Sequence, residues 1–136
     1  MIIGAVLSRL MPDNYWVFPL IILSHYILDI IPHWEYLDLS LSIPKNFYKI
    51  VLDLVGGFIL VYFFVGLSWW TMSGIFFALL PDLPILLYSF FKNNRFLKSY
   101  FKFGYILHHF RASVGWGIFS QILVIIIGIF ISLRYL

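Results

Sequence analysis

The sequence contains no cysteine. Disulfides, iron–sulfur clusters and thiolate metal sites are therefore excluded, and any metal would have to be held by histidine and carboxylate, a donor set suited to zinc, manganese or iron. Charge is nearly as scarce. Only 11% of the 136 residues are Asp, Glu, Lys or Arg, and 62% are hydrophobic. A soluble globular domain carries about 25% charged residues. A chain this short leaves much of its surface exposed when folded in water and could not hide so much apolar area. Internal repeats and low-complexity tracts are absent too. The opening MIIGAVLSRLM has neither the basic n-region nor the small-residue cleavage site of a signal peptide and reads as retained chain. These features predict one domain over residues 1–136, all-α, a polytopic bundle of about four transmembrane helices in the cell membrane.

The chain is basic, with a net charge of +3 and a pI near 9.2. The excess gathers between residues 92 and 111 beside an apolar segment, where it marks the cytoplasmic side rather than a nucleic-acid partner. The first span is expected from Tyr15 to Ile31, opened by the turn-like Met11-Pro12-Asp13-Asn14 and closed by Pro32, which disfavours helix at the residue before it. Residues 1–10 would add an interfacial or re-entrant piece, and residues 33–49 a loop along the headgroups. The second span is expected from Ile50 to Trp70, with Gly56 and Gly57 offering a smooth patch to a neighbouring helix. The third, Thr71 to Phe91, is broken at Pro81 and Pro84, because a helix loses hydrogen bonds at each proline. The fourth runs from Ser113 to Leu133. Between the last two, the alternation of basic and aromatic residues from Lys92 onward suits an amphipathic surface segment. Lys45, Lys49, Lys92, Arg95, Lys98, Lys102 and Arg111 fall in the 1–2 and 3–4 loops, leaving Arg9 and Arg134 on the other side. Both loops are thus expected in the cytoplasm and both termini outside.

Chemistry is expected where ionisable residues enter these apolar segments, since each such residue needs a partner or a task. His25 and Asp29, spaced i and i+4, share one helical face and can share a metal ion or a hydrogen bond. Fixing helix packing is the simpler use of that pair. His33 falls beyond Pro32 at the interface, as does Glu35, which reads as solvated. Asp53 could pair with Lys49 on the surface or face the first span. Asp82 could cap the helix that restarts after Pro81, or act as a ligand with its second oxygen. One of His108 and His109 can face the bundle, because adjacent helical residues diverge by about 100°. His33, Asp53 and His108/His109 lie at the cytoplasmic ends of their segments. Asp29 lies about one turn deeper than His33 in the same half, and His25 and Asp82 deeper still. One site assembled from several helices is the economical expectation.

Three of these motifs carry a resemblance. Ala78-Leu79-Leu80-Pro81-Asp82 is similar to a Leu-Leu-Pro-Asp element, and Leu23-Ser24-His25-Tyr26-Ile27-Leu28-Asp29 to a Ser-His-x3-Asp element. His108-His109-Phe110-Arg111 is similar to a His-containing run before a span. Together they mark a family of small membrane-bound metal-dependent hydrolases, in which the first two elements stand in the opposite order. The run from His25 through Asp29, Pro32, His33 and Trp34 resembles that of small bacterial membrane proteins. The resemblance implies a multi-pass protein of the bacterial inner membrane that hydrolyses an ester or phosphoester of a lipid or lipid-linked substrate. It would use a divalent metal, zinc first and manganese or iron otherwise. His25 and Asp29 would be primary ligands, completed by Asp82 and one of His108 and His109. Asp53 would be a ligand or general base, and His33 a ligand or proton shuttle. The basic stretch Lys92–Arg111 would suit an anionic lipid headgroup. The same residues also fit a small proton or metal-ion transporter, which at four spans without a repeat would need to form a homo-oligomer. A structural subunit whose polar groups only join helices is the third reading.

Overall fold

The computed structural model describes residues 1–32, 43–107 and 113–136. His33, Glu35, His108, His109 and Arg111 lie outside them. Among the described residues every regular element is helical: α1 (Ile2–Leu10), α2 (Val17–Ile30), α3 (Ile43–Phe64), α4 (Trp69–Leu79), a 3₁₀ turn (Leu80–Asp82), α5 (Leu83–Phe90), α6 (Arg95–Leu107) and α7 (Val114–Tyr135).

The ends of these helices follow from local chemistry. Asp13 takes a left-handed backbone, φ 63°, in the turn after α1. Asn14 Oδ1 then accepts the Trp16 N–H at 3.1 Å at the entry to α2. α2 stops at Ile30 because Ile31 is extended ahead of Pro32. α3 begins well before the expected Ile50, since Pro44 falls in its first turn, where a missing N–H costs nothing. Two residues past its end at Phe64 stands Gly66, whose φ of 80° few other residues adopt readily. Ser68 Oγ caps α4 by accepting the Thr71 N–H at 3.1 Å. Asn94 Oδ1 does the same for α6, accepting from Phe96 and Leu97 at 2.9 and 3.2 Å.

Among the described residues two stretches are long and apolar enough to cross a membrane, fewer than the four expected: Trp69–Tyr88, of 20 residues, and Val114–Tyr135, of 22. α2 is apolar but has only 14 residues, and α3 carries Lys45, Lys49 and Asp53 in its first half. The break expected at Pro81 and Pro84 is mild. Pro84 offers no N–H to the Leu80 carbonyl, which instead accepts from Leu83 across the 3₁₀ turn, and the helix resumes.

α1 is the centre of the bundle rather than a peripheral piece. It packs against α2, α3, α4 and α7 and buries Ile2, Ala5, Val6 and Ser8. Its contact with α4 is possible only for small side chains. A Cβ on Gly4 would lie 2.7 Å from Ala78 Cβ and 2.8 Å from the Gly74 carbonyl oxygen, and one on Gly74 would overlap Ser8 Oγ. Val61, Val65 and Ile75 complete the core around it. Ser132 Oγ of α7 donates to the Phe64 carbonyl, tying the far ends of α7 and α3.

Candidate functional site

Gly4 meets Ile21 on α2 and Ala78 on α4. One turn beyond those contacts, α2 presents His25 and the 3₁₀ turn after α4 presents Asp82, and the two side chains meet. His25 Nε2 lies 3.2 Å from Asp29 Oδ2 and 3.4 Å from Asp82 Oδ1. His25 and Asp29 are 16% and 22% exposed, whereas Asp82 is 58% exposed and gives the cluster an open side. Asp82 is the residue preceding α5, yet its side chain makes no capping hydrogen bond. Its carboxylate is turned to His25 instead.

Both carboxylates address one nitrogen. A protonated ring nitrogen would have to share its one proton between the two oxygens in a three-centre bond. The observed separations also match the spacing of ligand atoms on a small cation. Two donors on a tetrahedral zinc at about 2.05 Å stand about 3.3 Å apart. The cradle is not complete. Among the described residues no group of three or more His, Asp or Glu is arranged to hold a metal ion. The arrangement can hold an imidazolium between two carboxylates, or supply two edges of a cation site that needs further donors.

A second polar string abuts the first. Tyr100 of α6 donates to the Pro81 carbonyl at 2.9 Å, and Tyr26 and Tyr100 hydroxyls lie 2.7 Å apart. Because the single Tyr100 proton is committed to Pro81, Tyr26 must be the donor to Tyr100. Burial first, then the hydrogen bond with Tyr26 and the charges of Asp82 and Asp29, push the Tyr100 phenol above its ordinary range. Tyr26 also meets Phe103 edge-on at 6.2 Å. Two hydroxyls therefore pin α6 and α2 to the turn that carries Asp82.

Of the residues singled out by sequence, His25, Asp29 and Asp82 come together. Asp53 is exposed on α3 and stands apart from them. One turn on, a Cβ on Gly57 would lie 3.0 Å from Met1 Sδ. His33, His108 and His109 fall outside the described residues. Tyr26 and Tyr100 were not anticipated. Tyr26 follows His25 directly, but nothing in the sequence couples it to a residue far along the chain in a segment that reads as surface. Comparison with protein-family models, with curated proteins and with solved structures finds no match.

Proposed function

We propose that this chain is a multi-pass membrane protein that hydrolyses an ester or phosphoester of a lipid or lipid-linked substrate, using a divalent cation bound at His25, Asp29 and Asp82. α2, α3, the Trp69–Tyr88 stretch and α7 would be its crossings, with the α2–α3 connection and the connection from α5 to α7, which includes α6, on the cytoplasmic side. The observation that carries the reading is the pair of carboxylates converging on a single imidazole nitrogen at 3.2 and 3.4 Å. Two acids and a histidine at this level of an apolar bundle are costly unless they share a counter-ion. The motif resemblance points the same way.

His25 and Asp29 would hold the cation from the less exposed side, and Asp82 would close on it from the open one. His108 or His109, just after α6, is the expected further donor. Zinc suits the set best, with manganese and iron as alternatives. Such an ion supplies Lewis-acid polarisation of a phosphoryl or carbonyl oxygen. His33 would take a proton from the attacking water, and the open side at Asp82 would admit the ester. Metal analysis of the purified protein tests this. Stoichiometric zinc, manganese or iron that falls at least tenfold in His25→Ala is expected; a parent chain free of all three after growth in supplemented medium sinks the reading.

The same convergence favours one second reading. Two carboxylates sharing one imidazole are also a proton- or cation-transfer relay, and such relays mark pumps and transporters. Proton or metal flux into vesicles that disappears in Asp82→Asn, without turnover of any ester, would select it.

A further inference from the structure

α6 has three faces. Leu97, Tyr100, Phe101 and Gly104 turn inward: Leu97 is 8% exposed, Phe101 meets Tyr88 with ring centroids 4.9 Å apart, and Gly104 faces Ile85. With Tyr100 held at Pro81, rotation of α6 about its axis is fixed. The outward faces are therefore fixed as well. Arg95, Lys98 and Lys102, at i, i+3 and i+7, form one exposed row. Phe96, Phe103 and Ile106 form the adjoining one, 71%, 49% and 69% exposed. From Lys92 to Leu107 the sequence holds no acid to neutralise the row.

We infer that the outward side of α6 is a docking surface for the anionic phospholipid headgroups of the bilayer that surrounds the bundle. A helix lying in that layer puts cations among the phosphates and large apolar groups at the acyl boundary, and the two rows of α6 supply both side by side. Water alone would leave Phe96 and Ile106 uncovered, and a basic protein partner would be repelled. The inference rests on the membrane reading and not on the metal. Through Tyr100 and Pro81, α6 thereby ties the turn that carries Asp82 to the headgroup layer.

The absence of cysteine makes the test clean. Phe96→Cys, in the full-length protein, takes a single environment-sensitive fluorophore, and Phe130→Cys on the outward face of α7 serves as the span control. Each is reconstituted in phosphatidylcholine vesicles containing a small share of headgroup-labelled nitroxide phosphatidylglycerol or nitroxide phosphatidylcholine. At Phe96 the anionic quencher is expected to act about fivefold more effectively than the zwitterionic one at low salt. That preference should fall towards unity in high salt and in Lys98→Glu/Lys102→Glu, while the Phe130 probe keeps its lipid contact in both. Equal quenching by the two lipids at Phe96, or a water-exposed probe there with Phe130 in lipid, overturns the docking surface alone. A water-exposed probe at Phe130 overturns the membrane reading, and the docking surface with it.

Discussion

Asp82 has two uses open to it, and its neighbours choose between them. As the residue before α5 it could satisfy an orphan N–H, but its carboxylate goes to His25 at 3.4 Å instead. Asp82→Asn keeps the shape and removes one of the two charges on Nε2. If the cluster is a cation site, this change removes a ligand and should lower zinc affinity by at least the roughly 10–100-fold that loss of a merely supporting carboxylate costs. Competition with a chelating dye would measure it. Tyr100 allows a test that needs no ligand. Its phenol is raised above its ordinary range by burial, by Tyr26 and by nearby carboxylates, so the neutral form is the one that docks. Its contribution is complete below the ordinary tyrosine value of about 10 and is lost as pH climbs through the higher folded value. Tyr100→Phe should cost about 1 kcal/mol at neutral pH and remove one late-titrating phenol from the tyrosinate absorbance curve. The His25–Asp29 pair was legible because i,i+4 spacing is a local rule. The choice made by Asp82 was not legible, because a cap and a ligand look alike until the facing helix is known.

Among the elements, α1 departs furthest from expectation. Nine residues make too short a helix to span a bilayer, so composition places the segment at the periphery. The structure places it at the centre, and the signal lay in spacing rather than hydropathy. Gly4 and Ser8 on α1, and Gly74 and Ala78 on α4, are each a small residue followed four positions later by another, which permits helix axes to approach closely. Their mutual fit is tight enough that no added carbon is accommodated at either glycine. Gly74→Val should therefore destabilise the bundle by about 1–3 kcal/mol through overpacking, read from denaturation in mixed micelles. Gly56→Val on α3 is the matched control, because open space surrounds that position. The break expected in the third span is a single 3₁₀ turn, and the apolar stretch continues through it to Tyr88. Prolines dictate which carbonyls lose partners; how far the axis then bends depends on what packs against the gap, here Tyr100.

At the scale of the molecule, what must be explained is how much apolar surface faces outward. Within α7 only 11% of the span-length window is buried, and Ile122, Ile126 and Phe130 form an exposed stripe. Exposed in water, such a stripe is an aggregation liability or an interaction site, whereas in lipid it would meet acyl chains. The two environments predict opposite consequences for one substitution. Ile126 lies near the middle of α7 and is 55% exposed, so Ile126→Lys breaks no close internal packing. In water an exposed change of this kind stays within about 0.5 kcal/mol. At the centre of a bilayer a lysine costs roughly 2.5–3.5 kcal/mol by insertion scales. Lys98→Ile on α6 should behave inversely, because it removes a cation from the headgroup layer and leaves the apolar core untouched. Comparing the membrane-inserted fraction of these two variants with the parent, by resistance to alkaline extraction, decides the matter. A marked loss for Ile126→Lys with full retention of Lys98→Ile is expected, and an Ile126→Lys protein that remains fully folded and fully inserted would remove the membrane reading of α7.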